Sequence, residues 1–213
     1  MQHVHDRILW GVGTPRTFRV HWALLELGLP YETRALQTRT APTKSAEYRK
    51  LNTTGKIPTL VDGDIRVSES SGIISYLATR YDCTEGRLMP TDIQSIAEYH
   101  EWMSFISTEL DATSLYVLRR HEGLPDIYGR ADTACVAARD YFSRMILAAS
   151  EKIKDGRSCL VGTTFTGADI MMVSTLDWAD HVGCDYPSIF KAYRAQITGR
   201  ASYSLALQAN KAN

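Results

Sequence analysis

Two short stretches of this chain place hydroxyl and carboxylate groups where a helix would begin. Ser68-Glu69-Ser70-Ser71-Gly72 precedes Ile73, Ile74, Leu77 and Ala78, and that spacing predicts a helix with small hydroxyl residues available as N-caps. A helix N-terminus exposes unpaired backbone N–H groups and a partial positive charge, which suits a carboxylate or a phosphate. Ser70 adds a hydroxyl to such a receptor, and Glu69 adds an anion against which a ligand ammonium could pair. A carboxylate and an ammonium on one ligand describe the α-carbon end of an amino acid. The same residues would also serve simply as a helix cap. The second stretch is the loop Gly11-Val12-Gly13-Thr14-Pro15, where Thr14 and the nearby Thr17 carry the hydroxyls.

The elements that must hold these groups follow from pattern. Lys56-Ile57-Pro58-Thr59-Leu60-Val61 is an apolar, β-prone run, and Pro58 is allowed at its opening because no ladder donor is lost there. Asp62-Gly63 is a pair favoured in tight hairpin turns, and Ile65-Arg66-Val67 returns as the next strand. Upstream, Ile8-Leu9-Trp10 reads as a short buried strand. From Thr17, the residues Val20, Ala23, Leu24 and Leu27 form a helical stripe that Gly28 stops. Tyr31 to Leu36 reads as a second strand, and one helix between two strands implies parallel pairing through a right-handed crossover. The N-terminal third is thus βαβ followed by ββα. Its first loop lies at the carboxyl end of the first strand, where open α/β sheets bind ligands.

The pattern loosens around Gly86 and Pro90, which predicts a linker over 84–91 between an α/β domain, 1–83, and an all-helical domain, 92–213. Ile96, Trp102, Met103, Ile106, Leu110, Leu115 and Val117 recur at helical spacing from Ile93 to about His121, and Pro125 with Gly129 breaks the run. A second long helix is expected from Asp132 to Ile153 and a short one near Ile189 to Ile197. Between them, Phe165-Thr166-Gly167-Ala168-Asp169-Ile170 reads as a capping box: Thr166 is the N-cap, Asp169 stands at N3, and Phe165 is stapled to Ile170. That role is structural. The tail from Ser202 to Asn213 is expected either to fray or to fold over the site.

The 213 residues carry 24 basic and 24 acidic side chains, a balance that argues against nucleic acid and against a polybasic membrane anchor. Neutral small molecules or peptides are the expected partners. Cys83, Cys135, Cys159 and Cys184 have neither CxxC nor metal spacing, and His21, His100, His121 and His181 have no zinc-ligand spacing. The expectation is therefore reduced thiols, no metal and a cytoplasmic location. The N-terminus, with His3, His5 and Asp6, lacks an apolar signal core, and no apolar run is long enough for a membrane span.

Four motifs, in order, resemble the cytosolic glutathione transferase family. Thr14-Pro15-Arg16-Thr17-Phe18-Arg19-Val20 is similar to the Ser-Pro-x-Ser-x-Arg-Val segment of the tau class, in a first helix that also looks theta- and phi-like, and Leu25-Glu26-Leu27-Gly28-Leu29-Pro30-Tyr31-Glu32 continues the pattern. Lys44-Ser45 and Asn52 fit the next segment. Gly55-Lys56-Ile57-Pro58-Thr59-Leu60 looks like the Ile/Val-Pro motif, and Glu69-Ser70 followed by Ile73, Ile74 and Tyr76-Leu77 looks like Glu-Ser-x-x-Ile-x-x-Tyr-Leu. The resemblance covers nearly the whole chain. It implies an N-terminal thioredoxin-like domain (βαβ plus ββα, a mixed four-stranded sheet with a cis-Pro opening the third strand) and an all-α C-terminal helical bundle.

It also implies glutathione as co-substrate, conjugation of its thiolate to small hydrophobic electrophiles, a role in detoxification and a homodimer. Thr14 stands where the family's hydroxyl hydrogen-bonds the glutathione sulfur, with Arg16 and Thr17 as nearby donors. A free thiol ionises near about 8.5, so a downward shift of about two units represents roughly 2.7 kcal/mol of differential stabilisation, more than one hydroxyl supplies. Thr replaces the class's Ser, and its extra methyl restricts χ1. By resemblance, Ile57, beside Pro58, offers its backbone to the cysteinyl amide, Glu69 and Ser70 hold the γ-glutamyl end, and Lys44 and Lys56 pair with the glycyl carboxylate. Trp102, Met103, Ile106, Tyr116 and Arg119 are the candidates for the electrophile site, although an amphipathic helix buries such residues in its own core first. Two alternatives stand beside the transferase. One is a glutathione-dependent peroxidase or reductase, against whose thiol-disulfide form the absence of Cys at positions 14 and 17 counts. The other is a non-catalytic member of the fold that binds hydrophobic ligands or protein partners.

Overall fold

A computed structural model describes residues 7–81 and 88–212. His3, His5, Asp6, Cys83 and residues 84–87 of the expected linker lie outside the described residues. The chain divides into two compact units, Met1–Met89 together with Arg200–Asn213, and Pro90–Gly199. The tail expected in the helical domain thus belongs to the α/β unit.

The first unit runs β1 (Arg7–Trp10), α1 (Pro15–Glu26), β2 (Glu32–Arg34), α2 (Ala41–Lys44), α3 (Ala46–Leu51), β3 (Thr59–Asp62), β4 (Ile65–Ser68) and α4 (Ser70–Arg80). Its sheet has the order β2-β1-β3-β4, with β1 parallel to β2 and β3 antiparallel to both β1 and β4. This is the expected mixed four-stranded sheet, and Leu9, Leu60, Trp22, Leu24, Ile73, Ile74 and Leu77 fill its core. Five details differ from the sequence reading. Helix α1 starts at Pro15 rather than Thr17, because Thr14 is its N-cap and a Pro at N1 gives up only a donor that would be unpaired anyway. The hairpin turn falls on Gly63-Asp64 rather than Asp62-Gly63: Asp62 stays in the ladder opposite Ile65, its carboxylate engaged by Arg7, Tyr76 and Tyr81. The second strand is shorter than Tyr31 to Leu36, and α2 and α3 occupy a segment read without helices. Helix α4 has Glu69 at its N-cap, with no side-chain capping bond from the hydroxyls expected there.

The second unit is all helical: α5 (Ile93–Phe105), a π-helical stretch Ile106–Leu115, α6 (Tyr116–His121), α7 (Pro125–Tyr128), α8 (Asp132–Glu151), α9 (Gly167–His181) and α10 (Ser188–Ile197). The single long helix expected over 93–121 is therefore continuous but widened in its middle. Ser107 donates to Met103 O at 2.7 Å, Thr108 to Ser104 O at 2.9 Å and Ser114 to Glu109 O at 2.7 Å. Such hydroxyls compete with the regular backbone ladder and bend helices. Among the described residues, no helix is long and apolar enough to cross a membrane.

The chain then returns to the first unit as α11 (Ala201–Ala209), which lies along α1. Trp22 Nε1 donates to Ser202 Oγ at 3.1 Å, and the Tyr203 ring meets Phe18 and Trp22 edge-on at 5.5 and 5.1 Å. Arg200 and Ser202 both hold the Glu26 carboxylate. Two aromatic contacts and an ion pair hold α11 in place, so of the two expectations for the tail, fraying does not describe Ala201–Ala209.

Candidate functional site

At the start of α1, Thr14 and Thr17 form a reciprocal capping pair. Thr14 Oγ1 accepts from Thr17 N and Thr17 Oγ1 accepts from Thr14 N, each at 3.0 Å, and the two hydroxyl oxygens are 3.0 Å apart. Both residues are buried. The first turn of α1 contains no acidic residue, so no side chain of that turn neutralises the positive end of the helix dipole. The preceding loop is tied to β2 and the residues beyond it by Gly11 N to Arg34 O and Val12 N to Leu36 O, both 3.0 Å. Gly11, at φ +123°, is required for close approach: a Cβ there would stand 2.7 Å from Ile57 Cβ and 2.8 Å from Thr17 Cγ2. Three segments of the site therefore converge on one glycine.

His21 supports this loop from within α1. Its Nε2 lies 3.3 Å from Gly11 O and its Nδ1 2.8 Å from the Tyr31 hydroxyl. Burial lowers the His21 pKa to about 4 and raises that of Tyr31 to about 12. The ring is therefore neutral at pH 7, with Nε2–H donating to the carbonyl and Nδ1 accepting from the phenol.

The Ile57-Pro58 bond is cis, and the segment before it is held by side chains from α3 and its C-terminal end. Tyr48 OH donates to Lys56 O at 2.6 Å, and Asn52 Nδ2 donates to the same carbonyl at 2.9 Å and to Thr59 Oγ1 at 3.1 Å. Asn52 Oδ1 accepts from Thr54 N and Thr54 Oγ1 at 3.0 and 2.8 Å. A Cβ on Gly55 would meet Thr43 O at 2.8 Å, so α2 packs directly against this segment. Lys44 and Lys56 are exposed, and neither has an ion pair among the described residues.

Glu69 is exposed and stands at φ +68°, ψ 121°, a region sparsely populated by residues other than glycine, where a surrounding structure must over-determine the backbone. Ser70, next to it, is buried, and its Oγ accepts a long hydrogen bond of 3.4 Å from Arg19 Nη1. Arg19 is itself buried within α1 and links that helix to the start of α4.

The first unit thus brings together Thr14, Arg16 and Thr17 at the α1 N-terminus, Ile57 against Gly11, and Ser70 through Arg19, while Lys44, Lys56 and Glu69 are exposed. In the second unit Trp102, Met103 and Ile106 are buried, while Tyr116 and Arg119 are half-buried. Trp102 lines a cavity of about 90 Å³ with Glu101, Phe105, Ala148, Ala149 and Lys152. Sequence reasoning missed Tyr48, Arg19, His21 and Asn210 as supports of the first site. The spacing of Tyr48 and Asn52 at i, i+4, on one helical face, was a usable signal. So was a charged Arg19 between Phe18 and Val20 in an apolar stripe.

Residues 6–79 match the family model described as "Glutathione S-transferase, N-terminal domain". Glutathione S-transferase 1 of Schizosaccharomyces pombe is 30% identical over 165 residues, spanning 75% of this chain and 69% of that protein. The chain belongs to the glutathione transferase family. Within the family, the glutathione S-transferase-like protein gedE of Aspergillus terreus is 35% identical over 99 residues, 46% of this chain; that match spans 43% of gedE, less than half its length. Among solved structures, Ure2p in complex with glutathione superposes with a TM-score of 0.86 over 97% of this chain and 100% of that one. The nitrogen regulation fragment of the yeast prion protein Ure2p superposes at 0.80 over 98% of each chain. At 19% and 21% identity these two show a shared glutathione transferase fold.

Proposed function

We propose that this glutathione transferase family member binds glutathione in its first unit and conjugates the thiolate to small hydrophobic electrophiles. One observation carries the reading: a pair of hydroxyls caps a helix whose first turn holds no acidic side chain. Thr14 Oγ1 already accepts the Thr17 N–H, so the proton left to it is available to a sulfur anion. Donation to the thiolate together with the helix dipole lowers the thiol pKa, with Thr17 and Arg16 as neighbouring donors. Glu69 receives the ligand ammonium. Ser70 and the first N–H groups of α4 receive the γ-glutamyl carboxylate, Ile57 the cysteinyl amide, and Lys44 and Lys56 the glycyl carboxylate. For the electrophile the second unit offers Tyr116 and Arg119, which are part-exposed, ahead of Trp102, Met103 and Ile106. A homodimer, a cytoplasmic location and a detoxifying role belong to the same proposal.

The test is a titration of the protein with glutathione, followed by ultraviolet thiolate absorbance against pH. Ionisation about two units below the free thiol is the expected result, and the absence of glutathione binding overturns the assignment. A second reading, a non-catalytic glutathione binder, is favoured by Thr14 being buried with its hydroxyl at hydrogen-bond distance from Thr17, and by a fold shared with a nitrogen regulation fragment. Binding without any shift of the thiol would establish that reading. Reduction of a hydroperoxide by the bound thiolate, with no conjugate formed, would establish the peroxidase alternative.

A further inference from the structure

Asn210, which follows α11, reaches the thiol loop from the far end of the sequence. Its main-chain O accepts from Gly13 N at 2.8 Å, and its Oδ1 accepts from the same N–H at 3.1 Å and from Thr17 Oγ1 at 2.6 Å. Its Nδ2 donates to Thr14 O at 3.1 Å. One residue therefore holds the backbone on both sides of Thr14, the Gly13 N–H before it and its own carbonyl after it. Thr14 Oγ1 is pinned by Thr17 N at 3.0 Å, and a β-branched side chain is stiff at χ1. The hydroxyl is consequently aimed by the loop backbone rather than by side-chain rotation. Gly13 stands at φ +77°, where a loop segment of this kind has alternatives to choose from.

We propose that Asn210 is a positioning residue of the thiol site, which clamps the Gly13–Thr14 backbone and so fixes the direction in which the Thr14 hydroxyl points. The inference rests on the proposed thiolate role of Thr14. Asn210 also assigns the protons. Thr17 Oγ1 lies within donating distance of Thr14 O at 2.9 Å and of Asn210 Oδ1 at 2.6 Å; Thr14 O already accepts from Phe18 N at 3.0 Å and from Asn210 Nδ2, so the Thr17 proton turns to the nearer Asn210 Oδ1. Thr17 Oγ1 then offers Thr14 only an acceptor at 3.0 Å, so the Thr14 hydroxyl is a donor whose proton a bound sulfur must draw from Thr17.

The experiment measures the pKa of bound glutathione and the steady-state constants for Asn210→Ala and Asn210→Asp, each in the parent protein and in a Thr14→Ala background, with thermal unfolding of every variant. Asn210→Ala is expected to raise the bound-thiol pKa by about one unit and lower turnover about tenfold. The KM for glutathione should change less, because the tripeptide's ends are held elsewhere. Asn210→Asp, nearly isosteric, should raise the thiol pKa further by adding an anion near the sulfur. In the Thr14→Ala background Asn210→Ala should add nothing, since two groups acting through one hydroxyl are not additive.

An unchanged thiol pKa in Asn210→Ala, or an equal loss of turnover in both backgrounds, overturns the positioning role and leaves a packing contact. A parent protein that binds glutathione without lowering its pKa overturns the proposed function, and this inference with it. The parent curve alone separates that failure from the first. Should Asn210→Ala not fold, Asn210→Asp carries the decision through the same cycle: a thiol pKa raised equally with and without the Thr14 hydroxyl reports the added charge alone and overturns the proposal.

Discussion

Helices α1 and α9 open with the same local device and use it differently. Both have a Thr at the N-cap and a reciprocal partner at N3, Thr14 with Thr17 and Thr166 with Asp169. In α9 the N3 residue is a carboxylate. Asp169 Oδ2 accepts from Thr166 N at 2.7 Å and Thr166 Oγ1 at 3.0 Å, and Oδ1 accepts from Leu160 N at 2.8 Å and Tyr193 OH at 2.7 Å. Burial pushes the Asp169 pKa up, while these four donors pull the other way and fit the ionised form. Every lone pair is used, and the helix's positive end is closed by the protein's own anion. In α1 the N3 residue is a hydroxyl that brings no charge, so that end keeps its polarity for something else. A capping box with an acid compensates the charge of the helix end, whereas a box of two hydroxyls leaves it uncompensated.

Asp169→Ala should break the closed box most severely. It strands four buried donors and is expected to cost about 4 kcal/mol of stability, read by chemical denaturation. Thr17→Asp should convert the open box into the closed kind: the helix gains a favourable acid, while bound glutathione ionises about two units higher than in the parent protein. His21 sharpens the contrast through pH. Its folded pKa, about 4, lies below its ordinary value of about 6.5, so its contribution is present above that value and is lost as pH falls towards 4. Between pH 6.5 and 5 the stability should drop by about 2 kcal/mol, a slope absent in His21→Gln when both are unfolded in urea at each pH. Thr14→Ala should lower turnover about tenfold with glutathione affinity kept, whereas Thr14→Ser should stay within about twofold of the parent, or exceed it.

Much of this was legible because the signals are local. Glycine and proline punctuation set out βαβ and ββα, and the α9 box was read in full, down to its structural role. In α1 the Thr14 and Thr17 hydroxyls at the helix start were legible but their reciprocal pairing was not, because Thr at N3 lacks the acidic signature. The positive φ of Glu69 at the α4 N-cap was invisible, since nothing about Glu favours it. The π-helical stretch was hidden for a related reason: the sequence does not show that the hydroxyls of Ser107, Thr108 and Ser114 bond back to the helix. Arg19 to Ser70 and Asn210 to Thr17 span 51 and 193 residues, distances over which one sequence carries no pairing signal.

The contact between Glu26 and Arg200 makes the first unit discontinuous, for residues 90–199 are inserted between its two pieces. Closing an unstructured loop of that length costs about 4 kcal/mol by chain statistics, plus a constant, so completion of this unit favours an order in which the inserted helices gather first. A fragment ending at Met89 would lack Ser202 and Tyr203, which meet the Trp22 indole, and Arg200, which pairs with the Glu26 carboxylate, and is expected to expose a sticky apolar helix face. Assembly of the α/β unit is therefore a late event during synthesis, although most of its residues emerge first.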